Sequence, residues 1–181
     1  DLLLGITASG QAPYVLGALE YARNVGALTG AISCNANSRT FALATHRIYV
    51  DVGPEVVTGS TRMKSGTAQK LILNMISTAA MIRLGKVYKN LMVDLRPVNQ
   101  KLILRSLKLI REVTGCPAEE AETAFAAAGK NSKIAMVMIL LKVSPQRAEE
   151  LLREADGHIS RLTAPVAAPL AASAPAEPVR S

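Results

Sequence analysis

The 181 residues predict an α/β protein, a parallel sheet with crossover helices followed by a small helical bundle. Three short apolar runs, Leu2–Thr7, Gly30–Cys34 and Ile48–Val52, alternate with helical stretches and loops, which is the rhythm of βαβ units. After Gly115 the composition shifts, and three short helical patterns follow one another closely. After Leu162 the sequence "TAPVAAPLAASAPAEPVRS" offers no packable periodicity, so a disordered Ala/Pro tail is expected over 161–181.

Each element has its own signals. Pro13 suits the first turn of a helix, where a missing N–H costs nothing, and Gly26 lies just past its end. Leu16, Leu19, Ala22 and Val25 recur on one face that can lie on the sheet. From Ser60 to Leu84 the pattern is helical, with Leu71, Met75, Thr78 and Ile82 on one face and Gly85 as the stop. Because this stretch is apolar on most sides after Lys70, a central helix is expected. The connector "KVYKNLMVDLRP" reads as an ordered loop, and Val98–Val113 as a second long helix ending at Gly115. Pro117–Ala128, Ser132–Lys142 and Pro145–Ala155 are the three short helices, with Pro in the first turn of two of them.

Composition narrows the function classes. Hydrophobic residues at 49% and charged residues at 19% fit a globular core, and 3% aromatic with no Trp makes that core aliphatic. The net charge of +7 is spread from Arg23 to Arg180 without a basic block, and two Phe and four Tyr leave little for base stacking. Both facts argue against a nucleic-acid partner. No apolar run reaches the roughly 20 residues of a membrane span; "IAMVMILL" is the longest type present. Cys34 and Cys116 lack paired spacing, so both are expected to be reduced and buried, which points to the cytoplasm. His46 and His158 have no partner at ligand spacing and read as surface residues, so no metal is expected. The first residue is Asp1, and "LLLGIT" reads as a buried strand with no signal-type segment before it. The chain is therefore expected to be the C-terminal part of something longer.

Two loops carry the chemistry. "TASGQAP" connects a strand to a helix, and Ser9 with Gly10 would let an anion approach unsatisfied N–H groups at the helix start. A plain turn with a Ser cap explains the same residues equally well. Neither a dinucleotide fingerprint nor a Walker loop is present. "GPEVVTGSTRMKSGTAQK", residues 53–70, is the second loop. In a parallel sheet both loops leave the carboxyl edge, where ligands of such folds collect. Ser60 and Thr61 can hydrogen-bond phosphate or sugar hydroxyls, and Arg62 and Lys64 can neutralise charge. Alternatively Ser60 caps the helix, and Arg62, Lys64 and Lys70 form its solvated face. Glu55 could act as acid or base, bind a sugar hydroxyl, or pair with Arg62. No nucleophile triad can be assembled.

The second loop resembles the motif of the family that holds the bacterial N-acetylmuramic acid 6-phosphate etherases and the animal glucokinase regulatory protein. The resemblance extends through "GITASGQAPYVLGALEYARNVGA", "ISCN", "LNMISTAAMIRLGKVYKNLMVDL", "NQKL" and "TGCPAEEAE", about residues 1 to 160, and fits the etherases better throughout. It implies that 1–114 is the C-terminal part of a sugar isomerase (SIS) type αβα sandwich. By the same resemblance 115–160 is a small three-helix bundle of ubiquitin-associated (UBA) shape.

The function implied is a homodimeric lyase that needs no cofactor. It would cleave the D-lactyl ether of N-acetylmuramic acid 6-phosphate to N-acetylglucosamine 6-phosphate and D-lactate in cell-wall sugar recycling. Such an elimination needs one group to remove the proton beside the aldehyde carbon and another to protonate the departing oxygen. The family's two glutamates for this lie in segments that would precede Asp1, so no catalytic residue is expected here. Ser9, Gly10, Ser60, Thr61, Arg62 and Lys64 carry over as phosphosugar contacts, Glu55 as a binding or structural residue, and Lys101 in "NQKL" as a more distant candidate. Where the family reads S-G-R-T-P, this chain has Ser9-Gly10-Gln11-Ala12-Pro13, losing a cation and a hydroxyl. A non-catalytic sugar-phosphate sensor and a SIS-type aldose–ketose isomerase are the competing functions.

Overall fold

The computed structural model describes residues 1–95 and 97–163. Strands β1 (Leu2–Ile6), β2 (Leu28–Ser33) and β3 (His46–Tyr49) form one sheet in that order, parallel throughout. The register pairs Leu2 with Leu28 and Ile6 with Ile32, then Gly30 with His46 and Ser33 with Tyr49. Parallel neighbours need a crossover, which α1 (Pro13–Asn24) supplies for the first pair and a 3₁₀ turn at Arg39–Ala42 for the second. Pro13 opens α1, and Gly26 follows its end at φ +76°.

The helix lies on bare backbone. A Cβ on Gly5 would meet Val15 Cγ1 at 2.8 Å and Leu19 Cδ1 at 2.9 Å, so a side chain on β1 at this point would push α1 off the sheet. Leu19, Ala31 and Ala44 form the buried centre of this layer, with Leu3, Val15, Phe41 and Leu43 packed around them. β3 starts two residues before the apolar run suggested. Its ladder ends when Val50 N–H donates to Ser33 O at 3.1 Å. The Asp51 carboxylate then accepts the Gly53 N–H at 2.9 Å, and Gly53 at φ +62° turns the chain away.

Helix α2 (Lys64–Arg83) begins four residues later than its sequence pattern, and it is not central. Leu71, Met75 and Ile82 on the expected core face are 57%, 62% and 50% exposed, and only Ser65 and Ile72 are buried. An apolar surface records what a helix would prefer to touch; cover depends on which elements arrive beside it.

The chain divides inside α2 into two compact units, residues 1–78 and the residues from Ala79 onward. In the second, the connector expected as a loop is a hairpin of β4 (Val87–Tyr88) and β5 (Leu91–Met92). Its two-residue turn sets Lys89 at φ +55°, an uncommon conformation without glycine, so the usual hairpin signal is missing. Helices α3 (Gln100–Thr114), α4 (Ala118–Ala127), α5 (Ser132–Leu141), α6 (Pro145–Glu154) and α7 (Ile159–Thr163) follow. Asn99, Asn131 and Ser144 cap α3, α5 and α6 through side-chain acceptors, and Gly115 at φ +75° ends α3. One core joins Leu109 and Ile110 of α3 to Phe125, Met136, Val137 and Leu152 of α4–α6, and to Ile159. On α3 the Ser106 hydroxyl is buried with no hydrogen-bond partner among the described residues. The tail expected over 161–181 loses its first three residues to α7, and 164–181 lie outside the described residues. Among the described residues no single helix is long and apolar enough to cross a membrane.

Candidate functional site

The loop after β1 is built against the loop after β2. Cys34 N–H and the Ser33 hydroxyl both donate to Ala8 O, at 3.1 and 3.2 Å, and Asn35 Nδ2 donates to Ser9 O at 3.0 Å. Gly10 stands at φ +74°, and a Cβ there would lie 2.7 Å from the Ser38 Cα, so only glycine fits. Gly10 N–H donates to the Thr7 hydroxyl at 3.3 Å, and Gln11 N–H to the Ser9 hydroxyl at 3.3 Å. With its oxygen accepting from Gln11, exposed Ser9 keeps its O–H proton for a ligand acceptor. Ala12 precedes α1 without a side-chain cap, so the first-turn N–H groups of α1 meet no capping oxygen of their own.

The second loop is organised differently. Both oxygens of the Glu55 carboxylate accept backbone N–H groups, Oε2 from Lys64 and Oε1 from Ser65, each at 3.1 Å. These bonds, led by the Lys64 N–H and aided by the Ser65 hydroxyl and the Lys64 charge, hold the Glu55 carboxyl below the usual carboxylate range. Glu55 is thus the cap of α2. This corrects two readings: Ser60 does not cap the helix, and Glu55 pairs with backbone and not with Arg62. Ser60 instead closes a turn, its N–H donating to Val57 O at 3.0 Å. Thr61, Arg62 and Lys64 are exposed, and Arg62 pairs with no carboxylate among the described residues.

No hydrogen bond or ion pair joins the two loops among the described residues. Lys101 sits exposed in the first turn of α3, in the other unit. A cavity of about 650 Å³ lined by residues of α4 and α5, including Ala124 and Met138, and by flanking residues such as Val143, shares no residue with either loop. Cys34 and Cys116 are free but half-buried, short of the full burial expected. Among the described residues no three His, Cys, Asp or Glu come together to hold a metal ion.

Asn35, Ser33 and Ser38 escaped the reading of the sequence. Their signal was present in "SCNANS": the rule that singled out the loop after β1 applies equally to polar residues at the carboxyl end of β2.

The chain is 53% identical over 161 residues to the N-acetylmuramic acid 6-phosphate etherase of Oenococcus oeni, covering 89% of this chain and 54% of that protein. The etherase of Clostridium botulinum gives the same identity and coverage. The etherase of Rhodopirellula baltica is 48% identical over 164 residues, 91% of this chain and 54% of the relative. The chain spans about half the length of the curated relatives it matches. No protein-family model matches it.

Proposed function

We propose, from a chain that belongs to the N-acetylmuramic acid 6-phosphate etherase family, that it supplies phosphosugar-binding surface to a carbon–oxygen lyase. The observation that carries this reading is the half-identical match over nearly the whole chain, with the Ser9 turn built at the carboxyl edge of a parallel sheet. Residues 1–114 are read as the C-terminal part of a SIS-type αβα sandwich, a reading that the β1–β3 sheet supports. Residues 115–160 are read as a UBA-like bundle, supported by the packing of α4 to α6 on one core.

In this function the Ser9 hydroxyl and the first-turn amides of α1 hold the 6-phosphate, and Gly10 brings the backbone close. Ser60, Thr61, Arg62 and Lys64 contribute hydroxyls and charge from the second loop. Glu55 orders that loop by capping α2, and beyond its Lys64 and Ser65 bonds its carboxylate keeps acceptor capacity that a sugar hydroxyl could use. In the opened sugar a base removes the proton beside the aldehyde carbon, the ether C–O bond breaks, and an acid protonates the departing D-lactate. Water then adds across the double bond to give N-acetylglucosamine 6-phosphate. No residue of this chain is assigned either proton-transfer role. Cofactor-free chemistry, a cytoplasmic location and a homodimer belong to the same reading.

A sugar-phosphate sensor without catalysis is favoured by one observation: Gln11 and Ala12 stand where the family carries a cation and a hydroxyl. Release of D-lactate from N-acetylmuramic acid 6-phosphate by the complete protein separates the two. No lactate at high enzyme concentration, with sugar-phosphate binding retained, would leave the sensor.

A further inference from the structure

Asn35 spends its side chain on the backbone. Nδ2 donates to the Ser9 carbonyl at 3.0 Å and Oδ1 accepts the Asn37 N–H at 3.0 Å. A carbonyl on one side and an N–H on the other fix which amide atom is which. The Asn35 N–H donates to the Ser33 hydroxyl at 3.2 Å, and that hydroxyl donates to Ala8 O at 3.2 Å. With the Cys34 N–H on Ala8 O, three donors from β2 and its loop hold two consecutive carbonyls of the loop after β1.

Those carbonyls matter to an anion. A free carbonyl presents its negative end to whatever approaches, whereas N–H and O–H groups attract phosphate oxygens. Engaging the carbonyls of Ala8 and Ser9 with the β2 loop commits their negative ends and leaves the donors of the turn for the ligand. Ser38 completes the arrangement by filling the space where a side chain on residue 10 would go.

We infer that Asn35 is a positioning residue for phosphate recognition at the Ser9–Gly10 turn, its amide anchoring the Ser9 carbonyl so that the turn meets the anion with donors. The inference rests on the phosphosugar reading above. It assigns Asn35 no contact with the sugar, and it predicts an effect confined to the phosphate.

The test is calorimetric titration of the complete protein with N-acetylglucosamine 6-phosphate and, separately, with N-acetylglucosamine. Asn35→Ala should weaken the 6-phosphate about tenfold, the worth of a well-made hydrogen bond, and leave the unphosphorylated sugar unchanged. Asn35→Asp, which keeps the acceptor for Asn37 N–H but puts a negative charge where a donor stood, should weaken the 6-phosphate at least as much. Asn37→Ala should behave as the parent chain. Should Asn35→Ala lose its cooperative melting transition, Asn35→Asp decides. Unchanged 6-phosphate affinity, or an equal loss for both sugars, overturns the inference while the phosphosugar reading stands. A parent chain that does not distinguish the two sugars removes that reading and the inference with it.

Discussion

The helices that follow the two candidate loops start in opposite conditions. α1 follows Ala12 with no side-chain cap, whereas α2 is closed by a carboxylate from nine residues upstream, Glu55 on Lys64 N–H. In sequence the second loop has the more anion-friendly content, with its hydroxyls and cations. In space its helix amides are already filled by an internal anion, and the plainer first loop has the open ones. Residue types that suit a phosphate therefore differ from a vacancy for one. The cations of the second loop remain exposed, so under the proposed function this loop would offer a phosphosugar the charge of Arg62 and Lys64, the helix dipole being already met by Glu55.

Several changes would break or sharpen this contrast. The largest effect is expected at Gly10, where alanine must adopt φ +74° and overlap Ser38; Gly10→Ala should cost about 3 kcal/mol in chemical denaturation. Next is Arg62→Ala, which should weaken N-acetylglucosamine 6-phosphate binding by about 1–3 kcal/mol through loss of a charge-assisted contact. Unchanged calorimetric binding would return Arg62 to a solvated helix face. Ser106→Ala should raise stability by about 1 kcal/mol, since it deletes a buried hydroxyl that no group satisfies. A lower melting temperature would mean that this hydroxyl has a partner.

The Glu55 cap gives the most local effect, read by hydrogen exchange at the Lys64 and Ser65 amides. Its carboxyl is held below the ordinary value in the folded chain, so its contribution is complete above about pH 4.3, the unfolded value. The contribution fades as pH falls through the depressed folded value. After correction for intrinsic rates, protection of these two amides should drop in that acid range. Glu55→Gln should remove the pH dependence, and an identical profile in the variant would take the cap away from Glu55.

Local signals in the sequence located most elements. Pro13, Gly26, Gly115, Pro145 and the polar residues before α3, α5 and α6 mark ends through backbone chemistry that acts within a few residues. Misses occurred where the deciding contact is distant. The start of α2 depends on Glu55, nine residues before Lys64, whereas local residue types offer Ser60 as one possible cap. The apolar run Ile48–Val52 marks β3 late because the polar pair His46–Arg47 lies at its start, and only pairing with Gly30 and Ala31 makes them strand. Of the candidate site, Ser9 and Gly10 were visible as a loop type. The anchoring of that loop by Asn35 was not, because it links residues 26 apart in the chain.

The exposure of α2 sets its two methionines apart chemically from the buried Met136. Met63, Met75 and Met81 are 62%, 62% and 44% exposed, the last two on α2, while Met136 is fully buried. Peroxide converts an accessible thioether to a polar sulfoxide, so in the free chain Met75 and Met81 should gain oxygen well before Met136. Any cover over α2 would slow the two helix methionines against that internal standard. Peptide mass spectrometry would then read burial of this face residue by residue, from the order in which the sulfurs oxidise.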